Sequence, residues 1–214
     1  MCRRMARGIF ITFEGGEGAG KSTQARLLAG EIKNTGREIV LTREPGGSEG
    51  AEEIRHLLVT GRPERWSAMT ETLLMYAARR DHIEQVVAPA LARGAVVVCD
   101  RFSDSTRAYQ GAAGGAPADL LVALERSVVG ETRPALTLIM NLPIAVGLTR
   151  SAARDHLETR FESKGAFFHR TLHAAFLAIA VAEPERCVLI DAAPDSGTIA
   201  TTIWSIVKAR LEAR

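Results

Sequence analysis

The chain has 214 residues, of which 46% are hydrophobic and 24% are charged, and its formal net charge is +2. This balance is typical of globular proteins and excludes a disordered, collagen-like or coiled-coil chain, and the length predicts a single domain over residues 1–214. The weak net charge argues against nucleic acid as a partner, and the sequence has no apolar run near the ~20 residues of a membrane span.

Short apolar runs and helical patterns alternate along the chain. The runs that predict β-strands cover residues 8–13, 38–41, 95–99, 136–140 and 187–190. The stretches that predict α-helices cover residues 22–33, 49–59, 70–92, 118–129, 144–154, 165–182 and 196–211. Strand runs without polar alternation are typical of strands covered on both faces. Because helices separate the strands, we predict an α/β fold with a doubly wound, five-stranded parallel sheet.

Cysteine usage bears on the cellular compartment. Cys2, Cys99 and Cys187 are odd in number and far apart, so neither a zinc site nor a secreted disulfide framework is predicted. Cys99 and Cys187 each lie in an apolar run, which favours buried free thiols. The start of the chain, MCRRMARGIFITF, shows no cleavage site. We therefore expect a soluble protein of the cytoplasm.

The segment GGEGAGKS, which follows the first predicted strand, fits the pattern G-x-x-x-x-G-K-[ST]. It lies between the apolar run IFITF and an amphipathic helical stretch, the context that a phosphate-binding P-loop needs. Its glycines allow backbone N–H groups to surround phosphates, and the helix N-terminus adds positive charge. Lys21 would place its charge on the β- and γ-phosphates, and the Ser22 hydroxyl would bind Mg²⁺. The predicted ATP-binding residues are Gly15, Gly16, Glu17, Gly18, Ala19, Gly20, Lys21, Ser22 and Thr23.

An acidic and a basic residue follow the third predicted strand. Asp100 would lie at the carboxyl end of that strand, where such sheets bind ligands, and a carboxylate there is the usual second metal-site element beside a P-loop. Arg101 should project into the same crevice, where its planar guanidinium suits a phosphate. The sequence has no N-K-x-D or LSGGQ-like motif, which disfavours a GTPase or an ABC-type ATPase. A phosphoryl-transfer enzyme with a small acceptor fits best.

Five segments carry a resemblance to a known family. They are FEGGEGAGKST at 13–23, TREPGG at 42–47, LLMYAARR at 73–80, CDRFSDSTRAYQG at 99–111 and TRFESKGAFFHR at 159–170. Together they resemble thymidylate kinase, a family of nucleoside-monophosphate kinases that convert dTMP and ATP into dTDP and ADP. The resemblance covers nearly the whole chain. It implies a P-loop kinase with a short lid at about 150–164, Mg²⁺ as cofactor, and a homodimer.

The resemblance implies roles on the phosphate and sugar of dTMP. Glu17 would contact the 3′-hydroxyl, and Arg43 and Arg101 would hold the acceptor phosphate. Tyr109 would crowd the 2′ position and so favour deoxyribose. A carboxylate among phosphates would otherwise be repulsive, so the position of Glu17 in the P-loop needs such an explanation.

The resemblance also implies roles on the thymine base. Arg79 would donate to the O4 carbonyl, and Met75 would stack on the ring. These two residues are four apart, so they share one helix face. Ser105 and Gln110 would meet the base edge. Packing in the core remains an open alternative for Met75 and for Tyr109.

A further arginine is expected from the lid. Some family members carry a basic residue in the P-loop where this chain has Gly18. The transition state of phosphoryl transfer is negatively charged, so a cation beyond Lys21 should meet it. Arg160 is the predicted catalytic residue of the lid. It would act together with Lys21 of the P-loop and Arg101 of the crevice. Arg150 and Arg154 are its rivals.

The sequence departs from the family pattern at a few positions. Met75 stands where Phe is common, Asn141 replaces a frequent Asp, and Thr159 precedes Arg160 where Asp is usual. These departures leave two alternatives open: a kinase for a different small molecule, and a catalytically degenerate nucleotide-binding protein. The degenerate form is disfavoured because the key polar residues are intact, namely Lys21, Ser22, Asp100, Arg101 and Arg160.

Overall fold

The structure is a computed structural model that describes residues 8–62, 64–153 and 164–212. Within these residues, five strands form one parallel sheet in the order β2-β3-β1-β4-β5. The strands are β1 (Ile9–Glu14), β2 (Ile39–Arg43), β3 (Val96–Asp100), β4 (Leu136–Asn141) and β5 (Cys187–Asp191). The doubly wound parallel sheet predicted from the sequence is confirmed.

Helices cover both faces of this sheet. They are α1 (Lys21–Asn34), α2 (Glu49–Val59), α3 (Ala68–His82), α4 (Ala88–Ala92), α5 (Ser103–Thr106), α6 (Ala118–Leu124), α7 (Ile144–Ala152), α8 (Ala166–Ala182) and α9 (Ser196–Glu212). Among the described residues, π-helical segments extend α3, α5 and α6, over Ile83–Val87, Arg107–Ala112 and Glu125–Val129. No described helix is long and apolar enough to cross a membrane.

The core consists of layers on either face of the sheet. Alternate residues of β1 point to opposite faces, so Ile11 packs with apolar residues of α1 and α9, and Phe10 packs with the cluster around α3 and α4. The central strands are almost wholly buried, as their unalternating sequence predicts. The edge strands β2 and β5 are instead half-exposed, and Leu41 and Leu189 each show 44% of their surface. Coverage on both faces was therefore wrong for the two edges.

The helix that begins at Ser103 was not predicted. Its first turn reads Ser-Asp-Ser-Thr, residue types that compete with the helical backbone for hydrogen bonds and usually favour caps or turns. All four of these residues are buried here. Glu14, at the end of β1, accepts hydrogen bonds from the Phe102 N–H at 2.8 Å and from Ser105 Oγ at 2.5 Å. Tertiary contacts therefore override the weak local propensity.

The register of the sheet brings the functional segments to one edge. Asp100 is paired with Phe13 of β1 on one side and with Arg43 of β2 on the other. The P-loop starts directly after β1, so it lies beside Asp100 and Arg43 at the carboxyl ends of the strands. Ligands bind at this edge in open α/β sheets.

Candidate active site

A cleft of about 280 Å³ opens at the carboxyl ends of β1, β2 and β3. Most residues predicted for the site line it: Glu17, Gly18, Ala19, Gly20, Lys21, Ser22, Arg43, Met75, Arg79, Asp100, Arg101, Ser105, Tyr109 and Gln110. Gly15, Gly16 and Thr23 belong to the same loop and helix but do not line the cleft. Arg154, Thr159 and Arg160 lie outside the described residues, as does most of the expected lid. Arg150, on α7, donates to the Ala192 carbonyl at 3.3 Å.

Glycine is required at two points of the P-loop. Gly15 and Gly18 have φ of 127° and 66°, which L side chains rarely adopt. A Cβ at Gly15 would lie 2.6 Å from the Met140 carbonyl oxygen, and one at Gly18 would lie 2.0 Å from that of Gly147. The loop therefore packs against β4 and α7 with no room for side chains.

Lys21 is the first residue of α1, and its buried ammonium group contacts the P-loop backbone. Its Nζ donates to the Gly16 carbonyl at 2.6 Å. Burial, together with the nearby charge of Arg101, lowers the pKa of Lys21 to about 8. A carbonyl is a weak partner for an ammonium, so an incoming phosphate can replace it and restore a full ionic interaction.

Ser22 and Asp100 form a pair of oxygen ligands beside Lys21. The Ser22 hydroxyl donates to Asp100 Oδ2. Asp100 Oδ1 is buried and has no hydrogen-bond partner among the described residues. A hydroxyl and a carboxylate with an unpaired oxygen fit Mg²⁺, which takes one or two protein oxygens and completes its shell with water and phosphate.

Arg101 has an unusual backbone that directs its side chain into the cleft. Its φ of 70° is positive, and its N–H donates to the Phe13 carbonyl at 2.9 Å. The contacts of Glu14 with Phe102 and Ser105 hold the next turn in place. This framework stabilises a conformation that costs about 1–3 kcal/mol in isolation. Burial and the charge of Asp104 raise the pKa of Glu14 to about 8.

Arg101, Glu17 and Tyr109 form a compact group at the centre of the cleft. Arg101 Nη2 donates to both carboxylate oxygens of Glu17 at 3.0 Å, and its guanidinium lies 4.9 Å from the Tyr109 ring centroid. Tyr109 donates its hydroxyl proton to Glu17 Oε1 at 2.6 Å. Burial raises the pKa of Glu17, but Arg101, Lys21 and Tyr109 lower it more strongly, to about 2. Glu17 is therefore an ionised hydrogen-bond acceptor where the P-loop meets Arg101 and Tyr109.

Arg79 lies at the far end of the cleft with 2% of its surface exposed. Its Nε donates to Glu44 Oε2 at 2.8 Å and its Nη2 to Thr106 Oγ1 at 2.9 Å. The third nitrogen, Nη1, is buried and has no partner among the described residues. A buried donor without an acceptor is costly, which points to a ligand acceptor at this position.

Three other residues that are predicted to meet the base line the same cleft as Arg79. Met75 lies one helical turn before it on α3 and lines the cleft. Gln110 is buried and donates to Glu71 Oε1 at 2.8 Å. Ser105 hydrogen-bonds to Glu14 and lies within 3.3 Å of Arg101 Nη1. The structure thus brings these residues together, while their contacts with a nucleotide remain predictions.

Two arginines lie at the entrance. Arg43 donates to Glu52 at 3.1 Å and is more than half-exposed. Arg55, which sequence reasoning missed, donates to the Pro45 carbonyl at 2.6 Å and also lines the cleft. Its signal was available, because α2 follows TREPGG directly and carries Arg55 three residues after Glu52. Glu44 was missed as well, although it lies in that same motif.

The fold and the loop define the class of the protein. A strand, a Gly-rich loop and a helix that begins with Lys-Ser, at the carboxyl edge of a parallel sheet, are those of a P-loop nucleotide-binding protein. The family model described as Thymidylate kinase matches residues 13–203. The chain belongs to the thymidylate kinase family.

Relatives and a solved structure agree with this assignment. Thymidylate kinase of Caulobacter vibrioides is 60% identical over 207 residues, which cover 97% of this chain and 99% of that protein. Thymidylate kinase of a Bradyrhizobium strain, ORS 278, is 50% identical over 98% of this chain and 93% of its own length. The crystal structure of thymidylate kinase from Ehrlichia chaffeensis superposes with a TM-score of 0.76 at 30% identity, covering 94% of this chain and 99% of that one.

Proposed function

We propose that the protein transfers the γ-phosphoryl group of ATP to the phosphate of dTMP, giving dTDP and ADP. The observation that carries this proposal is one continuous cleft, lined by P-loop residues together with Arg79, whose buried Nη1 has no partner among the described residues. Family membership along nearly the whole chain supports the same reaction. Neither a kinase for another acceptor nor a non-catalytic protein has a specific observation in its favour.

The cleft suggests how its own residues act. Lys21 would leave the Gly16 carbonyl and bind the phosphates of ATP. The acceptor phosphate would take over Arg101 from Glu17, with Arg43 and Arg55 at the entrance. Glu17, freed from Arg101, could then accept a hydrogen bond from the 3′-hydroxyl. Because the acceptor is already an anion, catalysis would rest on positioning and charge neutralisation rather than on a general base.

We further propose that Ser22 and Asp100 hold Mg²⁺ with the ATP phosphates. The unpaired Oδ1 of Asp100 supports this role. When bound, the ion would offset part of the negative charge of the phosphates. Replacing Asp100 with Asn should raise the Mg²⁺ concentration needed for half-maximal rate.

A homodimer in the cytoplasm completes the proposal. Met69 and Leu73 are four residues apart on α3 and are 43% and 47% exposed, and Leu57 of the adjacent α2 is 37% exposed. These side chains could form an apolar contact between two copies. Light scattering after size-exclusion chromatography tests the dimer, and Leu73→Glu should shift the mass towards one chain.

The decisive experiment is an ADP-release assay that compares dTMP, dUMP, AMP, CMP and GMP as acceptors. We expect dTMP to give the highest kcat/KM, and the dTDP product should be identified by chromatography. The Lys21→Ala variant, purified in parallel, controls for contaminating ATPases. A clear preference for another monophosphate, or no turnover with any of them, would overturn the proposal.

A further inference from the structure

A chain of buried hydrogen bonds leads from β2 to the base end of the cleft. We call Thr42, His82, Glu44 and Arg79 the Arg79 tether. Glu44 Oε2 accepts from Arg79 Nε at 2.8 Å, and Glu44 Oε1 lies 2.9 Å from His82 Nδ1. His82 Nε2 lies 2.7 Å from Thr42 Oγ1. His82 is fully buried, and Glu44 is 5% exposed.

The chemistry of the tether fixes the direction of its hydrogen bonds. An ionised carboxylate only accepts, so His82 Nδ1 must carry a proton and donate to Glu44. When the imidazole is neutral, Nε2 accepts from the Thr42 hydroxyl, and both ring nitrogens of His82 are then paired. His82 therefore donates to Oε1, the carboxylate oxygen of Glu44 that Arg79 does not bind.

Two aromatic rings also lie against the Arg79 guanidinium. Its central carbon lies 4.7 Å from the Tyr76 ring centroid and 5.2 Å from that of Phe102. Glu44 and Thr106 occupy two of its nitrogens. Nη1 is the nitrogen left for a ligand, and the pairing of Nε with Glu44 is one of the contacts that fix its direction.

We propose that His82 is a positioning residue for base selection: through Glu44 it orients Arg79 so that Nη1 meets an acceptor on the base. This inference rests on the proposed function, in which that acceptor is the O4 carbonyl of thymine. His82 itself does not line the cleft, and it is not among the residues that the family resemblance assigns to the site.

Loss of the imidazole would free Glu44 to turn. Its Oε1 would become a buried carboxylate oxygen without its His82 donor, while Arg79 would still donate to Oε2. Gly47 packs tightly against the outer side of the tether, where a Cβ would lie 2.6 Å from His82 Nε2 and 2.4 Å from Thr42 Oγ1. The guanidinium, rather than the backbone of the Gly47 turn, should therefore move.

The test compares dTMP with 5-methyl-dCMP, which carries an amino group in place of the O4 carbonyl. In His82→Leu, which removes both ring nitrogens at similar volume, we expect kcat/KM for dTMP to fall about tenfold or more. The value for 5-methyl-dCMP should change little, so the selectivity ratio collapses, and the KM for ATP should stay the same. His82→Asn should recover most of the ratio, because its amide nitrogen can replace Nδ1 as donor to Glu44.

Matched variants keep the test decisive. His56→Leu makes the same change at an exposed position of α2 and should leave all values unchanged. If His82→Leu does not fold, His82→Asn and Thr42→Val carry the test, and Thr42→Val should lower the ratio several-fold. A lower melting temperature with an unchanged ratio in His82→Leu or Thr42→Val would make His82 merely structural and overturn the inference. Failure of the wild-type protein to use dTMP would instead overturn the proposed function.

Discussion

Two groups of charges in the cleft are held in different ways. We name them after their proposed roles: the phosphate end contains Lys21, Arg101 and Glu17, and the base end contains Arg79 and Glu44. At the phosphate end, Arg101 and Glu17 pair with each other at 19% and 17% side-chain exposure, and Lys21 rests on a backbone carbonyl. At the base end, Arg79 and Glu44 pair at 2% and 4% exposure, and their remaining atoms are bonded except one. The phosphate end thus has partners that an arriving anion can displace, whereas the base end is built in advance around a single open donor.

This difference separates two tasks. A phosphate carries enough negative charge to displace a carboxylate or a carbonyl from a cationic side chain. The cationic side chains of its site can therefore be paired with other groups of the protein before the phosphate binds. A neutral base brings little charge, and it is distinguished from other bases only if its partners are already oriented. Changes at the phosphate end should therefore act on rate, and changes at the base end on acceptor affinity and selectivity.

The largest expected effect concerns Arg160, the lid arginine that is predicted to meet the transferred phosphoryl group. Arg160→Ala should lower kcat by roughly 10³–10⁵, with little change in either KM, since its contact would form mainly in the transition state. Arg160→Lys should recover only part, because an ammonium cannot bind two phosphate oxygens as a guanidinium does.

The same alanine substitution at Arg150 and Arg154 provides the comparison for Arg160. A collapse of kcat in one of those variants, with Arg160→Ala near normal, would move the role to that residue. Near-normal kcat in all three would disprove the lid mechanism. Steady-state kinetics with both substrates varied measures each case.

Lys21→Ala should lower kcat by about 10²–10³ while the fold stays intact, because a charge aimed at the transferred group is lost where water is excluded. Circular dichroism and melting temperature check the fold. Lys33→Ala, in the last turn of the same helix, is the matched control and should behave like the wild type. Retention of more than about a tenth of kcat would reject the assignment of Lys21.

The phosphate end could be read from the sequence, and much of the base end could not. The P-loop is a local pattern whose strand, turn and helix are contiguous, and the apolar runs identify the buried strands directly. Glu44 and His82 are 38 residues apart, and their pairing exists only because β2 and α3 meet in the fold. No local rule assigns them a function.

Local propensity also explains the errors at element level. The turn Ser103–Thr106 has weak helix formers, and its helicity depends on Glu14, which is 88 and 91 residues from its partners Phe102 and Ser105. The single helix predicted over 70–92 is divided by the π-helical segment Ile83–Val87, for which the periodicity gives no signal. Helix α2, by contrast, spans Glu49–Val59 as predicted, because its apolar face follows the 3.6-residue period.

At the base end, Arg79→Ala should raise the KM for dTMP about 10- to 150-fold and leave the KM for ATP nearly unchanged. A hydrogen bond from a charged donor is worth roughly 1.5–3 kcal/mol, and tenfold corresponds to about 1.4 kcal/mol. Arg80→Ala, at the exposed neighbour that pairs with Glu84, is the control. Equal losses for ATP and dTMP would show that Arg79 supports the fold rather than the base site.

The smallest effect is a pH dependence that belongs to the phosphate end alone. Because burial lowers the pKa of Lys21 to about 8, the free enzyme loses this charge above that pH. The kcat/KM for ATP reports the ionisation of the free enzyme, so it should fall roughly fivefold between pH 8 and pH 9. Bound ATP phosphates favour the charged lysine, so kcat/KM for dTMP at saturating ATP should stay nearly flat over that range.

The titration of Glu14 must be distinguished from that of Lys21 in this pH profile. Burial and the charge of Asp104 raise the pKa of Glu14 to about 8, the same value as for Lys21. Its ionisation adds negative charge near Lys21, which helps the lysine to keep its proton and so opposes the expected loss. In Glu14→Gln that charge is absent, and the decline with ATP should begin at the same pH or lower. A decline that disappears in Glu14→Gln would assign the titration to the carboxyl group, and the difference between the two ends of the cleft would then not rest on Lys21.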